Sequence, residues 1–109
     1  MTDHQTTLNI LKRARILLTP PGAWTRRAFA RGRDGELTTI GSETAVSWCS
    51  VGALEASAWG EDRWSAQNHL MSATNIYGES LLMWNDNPGR TQEEVLAAFD
   101  KAIATPLHD

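Results

Sequence analysis

Cys49 is the single thiol of this 109-residue chain, so it is the first residue to test for chemistry. A nucleophilic cysteine needs a lowered pKa, from a neighbouring histidine or a helix N-terminus. His4 and His108 lie near the chain ends, which leaves His69 as the one histidine that could serve. The spacing around Cys49 predicts a helix over 43–58 and puts the thiol about two turns inside it, on a stripe of small residues. There a cysteine behaves as a compact hydrophobe, so the expectation is a buried, inert thiol. Metal chemistry finds no support. The three histidines are isolated, no His-x-x-x-His or Glu-x-x-His spacing occurs, and one cysteine cannot build a cysteine-cluster zinc site. Gly32 and Gly35 are followed by no Lys-Thr or Lys-Ser pair, which excludes a phosphate-cradling loop. Asp86, Glu93 and Glu94 could serve as paired carboxylates, but the two glutamates already suit a helix start. The expectation is therefore no catalytic residue, no metal and no cofactor. A small enzyme using Cys49 or Asp86 is the alternative.

Charge offers a second kind of chemistry. Residues 1–33 carry seven Lys and Arg against Asp3 alone, whereas residues 34–109 carry three against twelve carboxylates. Arg26, Arg27, Arg31 and Arg33 fall within eight residues. They either pair with acidic helices inside the fold or form an exposed basic face for an anionic partner. The net charge of −3 and the lack of a known reader motif weaken nucleic-acid binding, which stays as an alternative using this segment.

Tryptophan offers a third. Five in this length is high. Trp24, Trp48 and Trp84 sit at turns or element boundaries and read as core anchors. Trp59 and Trp64 flank a Gly-Glu-Asp turn and read as exposed contacts, because tryptophan favours interfaces. Arg15 lies close to an apolar helical stripe, and Asp86 follows a tryptophan in a turn. They are expected to pair. The alternative is a small anion pocket built from Arg15, Trp24, Trp84, Asn85 and Asp86.

Five elements must position these residues. A helix over 6–18 carries Ile10, Leu11, Ala14, Leu17 and Leu18 on one face, capped by Thr6 or Thr7 and stopped by Pro20-Pro21-Gly22. A hairpin over 24–40 has arms Trp24–Arg31 and Glu36–Ile40 about an Arg33-Asp34-Gly35 turn. The helix over 43–58 has a seam of Ala45, Cys49, Gly52, Ala53 and Ala56, ended by Gly60. A helix over 62–77 follows, with Tyr77 on its buried stripe and Gly78 as terminator. Ser80–Trp84 is apolar and fits strand or helix equally. The last helix, 91–104, opens on a Thr91-Gln92-Glu93-Glu94 capping box. The fold class expected is α+β, about four helices packed with one short hairpin in a single domain over 1–109. Hydrophobic residues at 41% and charged residues at 21% suit a globular chain rather than a disordered one. No apolar run approaches the roughly 20 residues that span a bilayer, and the polar start is unlike a signal peptide. A lone cysteine suits a reducing cytoplasm.

Several of these residues carry a resemblance. Pro21-Gly22-x-Trp24, Trp48-Cys49-x-x-Gly52-Ala53-Leu54, Trp84-Asn85-Asp86 and Thr91-x-Glu93-Glu94-Val95 leading to Phe99 occur in order, with Ala14-Arg15 before them. The chain resembles a small bacterial and phage family of domains of unknown function, and the pattern covers nearly its whole length. The resemblance implies a bacterial or phage origin and a stand-alone domain, and brings no activity. The function expected is a non-enzymatic accessory protein that binds another macromolecule, most simply a protein, with an inhibitor of a host system as one form of it. Arg26, Arg27, Arg31, Arg33, Trp59 and Trp64 are its expected contacts. No membrane is expected as a partner.

Overall fold

The computed structural model describes residues 3–107. His108 and the first two residues lie outside that range. Helix α1 spans His4–Leu17, with Asp3 as its N-cap: the carboxylate accepts from Thr6 N at 2.7 Å. This corrects the expected cap at Thr6 or Thr7. Thr7 is instead turned into the core and buried. Ile10, Leu11, Ala14 and Leu18 of the expected stripe are buried, whereas Leu17 is only half-buried and borders a surface hollow. α1 is the central helix and packs against three others, α2 (Ser50–Ser57), α3 (Gly60–Ala73) and α5 (Gln92–Ala104).

The hairpin differs from its expected register. Strand β1 (Ala30–Gly32) pairs antiparallel with β2 (Ala45–Trp48), with Ala30 opposite Trp48 and Arg31 opposite Ser47. The expected turn exists: Gly35 has a positive φ of 83° and its N–H reaches the Gly32 carbonyl at 3.0 Å. The expected second arm shrinks to one bridge between Arg31 and Leu37. The reason lies in the next segment. Ala45-Val46-Ser47-Trp48 offers a β-branched and an aromatic residue at alternate positions, and it outcompetes Glu36–Ile40 for β1. The helix expected over 43–58 therefore begins only at Ser50, with Cys49 as its N-cap. Cys49, Gly52 and Ala53 of the expected seam are buried, whereas Ala56 is exposed.

Gly52 is where this arrangement closes most tightly. A Cβ there would collide with the Phe29 carbonyl oxygen, the same oxygen that accepts from Cys49 N at 3.3 Å. Only glycine lets α2 sit this close to the chain entering β1.

α3 also differs from its expected span of 62–77. Gly60 opens it rather than ending α2. It stops at Ala73, because Asn75 adopts a left-handed φ of 57° before Gly78 is reached. Tyr77 falls outside the helix and is 73% exposed, not part of a buried stripe. Ser80–Trp84 resolves into the start of a short helix α4 (Leu81–Asp86), capped by the Ser80 hydroxyl, which accepts from Met83 N. In α5 both halves of the capping box form: Thr91 Oγ1 accepts from Glu94 N, and the Glu94 carboxylate accepts from Thr91 N, each at 3.1 Å. Leu54, Leu70, Leu81, Val95 and Phe99 complete a core shared by the helices. The fold is α+β: five helices among the described residues and one antiparallel pair of strands. No helix among the described residues is long and apolar enough to cross a membrane.

Candidate functional site

Three of the residues proposed for an anion pocket, Trp24, Asn85 and Asp86, meet around the Asn85 amide. Asn85 ends up buried because α4 is capped at Ser80 and buries Leu81 and Asn85, one turn apart, on the same face. Its Oδ1 accepts from Trp24 Nε1 at 2.7 Å, Ser50 N at 2.9 Å and Ser50 Oγ at 2.6 Å. Its Nδ2 donates to the Thr25 carbonyl and to Asp86 Oδ1, both at 3.1 Å. One amide thus ties the loop after α1, the start of α2 and the end of α4, with all its capacity used. Trp84 lies beside it, its ring covered by the Arg90 guanidinium at 4.1 Å. Arg90 Nε also donates to the Trp84 carbonyl at 2.9 Å.

Arg15 is not part of this node, and its expected pairing with Asp86 is corrected. α1 packs along α5, which brings Arg15 to Asp100 in a bidentate pair at 2.9 and 3.0 Å. The hydrogen bonds from Arg15 hold the Asp100 carboxyl below its usual range and raise the guanidinium in turn. Asp86 is occupied by the backbone N–H of Arg27 at 2.9 Å. Asp100 was missed because the abutment of the first and last helices leaves no local mark in the sequence.

The arginine segment splits in two. Arg31 is an internal brace: Nε donates to Thr25 Oγ1, Nη1 to the Gly35 carbonyl and Nη2 to the Arg26 carbonyl, at 3.0 to 3.1 Å. Arg26 reaches across to the Asn87 and Pro88 carbonyls at 3.2 and 2.7 Å and lies 5.6 Å from the Trp24 ring centre. Both already hold contacts within the chain. Arg27 and Arg33 are exposed, and their guanidinium groups take no hydrogen bond or ion pair among the described residues. The ion pair of Arg15 with Asp100 joins the basic first third to the acidic remainder.

Beside Arg27 lies an open groove of about 570 Å³, walled by Phe29, Leu37 and Leu82 with Ala28, Ala30 and Thr38. Phe29 is 46% and Leu37 72% exposed. Arg27 and Asp86 form its polar rim. The sequence signal for this groove is weak, since its apolar walls come from three separate segments.

Trp59 and Trp64 stand at the corner between α2 and α3. Trp59 is the N-cap residue of α3 and is 89% exposed, with an indole N–H that makes no hydrogen bond among the described residues. Trp64 is half exposed, with Arg63 stacked 4.1 Å over its ring. Arg63 is held by Gln67 at 2.8 Å and Glu55 at 3.9 Å. Trp59 borders two surface hollows of about 360 and 240 Å³, one against α1 at Thr6, Asn9 and Arg13, the other against Ile40, Glu55 and Arg63.

Cys49 sits at the N-cap of α2, not two turns inside a helix. Its Sγ accepts from Gly52 N at 3.2 Å. Helix N-termini lower thiol pKa values, but here burial outweighs the Gly52 and Val51 amides and pushes the thiol up. His69, its one possible partner, is engaged elsewhere. Its Nε2 lies 2.9 and 3.0 Å from the Ala102 and Thr105 carbonyls at the end of α5. No group of three or more His, Cys, Asp or Glu side chains that could hold a metal occurs among the described residues.

No curated protein and no solved structure matches the chain. A model described as a family of unknown function (DUF6197) matches residues 2–105, in line with the resemblance carried by the tryptophan and capping-box motifs, and the chain belongs to that family.

Proposed function

We propose that this protein acts without catalysis, by binding another protein through the tryptophan corner between α2 and α3. The observation that carries the reading is the 89% exposure of Trp59. A large apolar side chain kept in water forgoes about 2 kcal/mol of burial free energy, which a partner surface can recover. Trp and Arg dominate the residues that contribute most to protein interfaces. Here Arg63 is already fixed over Trp64 by Glu55 and Gln67, so little side-chain freedom is lost on contact. The hollows on either side of Trp59 give a partner something to fill.

The other two readings have less support. A nucleic-acid surface needs several free cations in a row, and Arg26 and Arg31 already donate to backbone carbonyls of the chain. An enzyme needs a reactive group, and Cys49 is buried with its thiol pushed up while Asp86 accepts from Arg27 and Asn85. A bacterial or phage accessory role in the cytoplasm, with a host protein as the partner, is the setting that fits this binding mode.

The test is photo-crosslinking in the producing cell, with the crosslinking residue at the exposed position of Ala56, in chains with Trp59 intact and with Trp59→Ala. A discrete protein adduct that falls about tenfold with Trp59→Ala is the expected result. Adducts indifferent to Trp59, or adducts to nucleic acid, would overturn the reading.

A further inference from the structure

We propose that the groove beside Arg27 takes an acidic, apolar peptide segment of the partner protein, with a carboxylate on the Arg27 guanidinium and apolar side chains between Phe29, Leu37 and Leu82. The inference rests on the protein-binding reading above and adds a second contact away from the tryptophan corner.

Charge decides the occupant's polar end. Arg27 is the one cation on the groove, and its guanidinium has no partner among the described residues. Asp86 is the one acid there, and its Oδ1 already accepts from Arg27 N and Asn85 Nδ2. The group left seeking a counter-charge is the guanidinium, whose planar fork matches a carboxylate.

Apolar area decides the rest. The walls are aliphatic and aromatic, with Phe29 nearly half exposed and Leu37 mostly so. A volume of about 570 Å³ is large enough for a ligand, but the groove is open. A small molecule would keep much of its own surface in water there, whereas a chain segment backed by its own protein would cover the groove. A nucleic acid would find one cation among apolar walls.

Backbone strain gives an independent reason for the arginine. Arg27 has a φ of 64°, in the left-handed region that costs any residue with a Cβ. Nearby turns at Gly22 and Gly35 solve the same problem with glycine. At position 27 the Asp86 carboxylate holds the strained peptide through its N–H. Glycine would serve the backbone better, so arginine stands here at a cost in backbone energy. Such strain is found where function opposes stability.

The experiment is selection of a displayed library of random 12-residue peptides on the full chain. Enriched peptides are then titrated, fluorescently labelled, against the wild type and Arg27→Gly, Arg27→Glu, Leu37→Asp and Trp59→Ala. The expected consensus is one Asp or Glu beside two large apolar residues. Arg27→Gly should melt at or above the wild-type temperature yet bind about tenfold more weakly. Arg27→Glu should favour peptides in which the acid is replaced by lysine. Leu37→Asp should weaken binding, and Trp59→Ala should leave it unchanged. Failure to enrich any peptide, a consensus without an acid, or affinity indifferent to Arg27→Gly overturns the proposal. Binding lost with Trp59→Ala but kept with Arg27→Gly also overturns it while sustaining the tryptophan corner. Loss of the corner's crosslinks with the peptide results intact would do the reverse.

Discussion

The node at Asn85 and the corner at Trp59 both set tryptophans at element boundaries, and they use them in opposite ways. At the node the indole N–H of Trp24 is spent on Asn85, and nearby that of Trp48 is spent on the Ile40 carbonyl at 3.3 Å. Trp84 is covered by Arg90. At the corner the Trp59 indole stands in water with its donor unused among the described residues. A satisfied polar handle marks a tryptophan that holds the fold together. An unsatisfied one on an exposed ring marks surface that the fold itself does not need.

The largest effect is expected at the node. Asn85→Ala removes an oxygen with three donors on it, two of them on Ser50, and leaves the Trp24 N–H and the Ser50 groups without their partner in a buried site. The expected loss is about 3 kcal/mol or more, read as a lowered urea midpoint at constant slope. A wild-type midpoint would erase the distinction between the two regions. Gly52→Ala comes next. Alanine adds about 1 kcal/mol of helix preference, but its methyl meets the Phe29 carbonyl oxygen, and the net expectation is a loss of about 2 kcal/mol. A stabilised Gly52→Ala protein would mean that α2 can slide away from Phe29.

The arginine segment repeats the contrast on a smaller scale. Arg31→Ala gives up three hydrogen bonds to Thr25, Gly35 and Arg26 and is expected to cost about 1.5 kcal/mol. Arg33→Ala removes no hydrogen bond or ion pair among the described residues and should stay within about 0.5 kcal/mol. Equal midpoints for the two variants would show that Arg31 is no brace.

Some of this was legible in the sequence. The Thr91–Glu94 box and the stripe of α1 are local patterns, and each element follows its own spacing. Trp24, Asn85 and Asp86 could be grouped as neighbours because each adjoins a turn, although the Ser50 and Thr25 partners of Asn85 could not be read. Ala45–Trp48 was misassigned for a physical reason: Ala45, Cys49, Gly52 and Ala56 repeat at helical spacing, yet pairing with β1 overrides that period. Arg15's true partner depends on which helices abut, and the groove depends on three segments meeting. Neither is encoded within any one window of sequence. The surplus of arginines was visible, but the carbonyls of Asn87 and Pro88, 61 and 62 residues from Arg26, were not.

The smallest effect on stability is expected at Trp59, and it is the sharpest test of the comparison. The residue caps α3 through its extended backbone, φ −118° and ψ 152°, with no side-chain hydrogen bond. Alanine adopts the same conformation, so the cap geometry survives Trp59→Ala. Little area leaves the protein interior, since nine-tenths of the ring is already in water. The urea midpoint should therefore correspond to a change within about 0.5 kcal/mol, the range of ordinary surface substitutions. Trp24→Ala, which empties the node and strips Asn85 of a donor, should cost several times more. The pair of measurements separates two meanings of a boundary tryptophan on the same chain. A loss above 1 kcal/mol for Trp59→Ala would show that the ring supports the α2–α3 turn, and its exposure would no longer argue for a partner. A neutral result leaves the forgone burial free energy available for binding, where the crosslinking experiment looks for it.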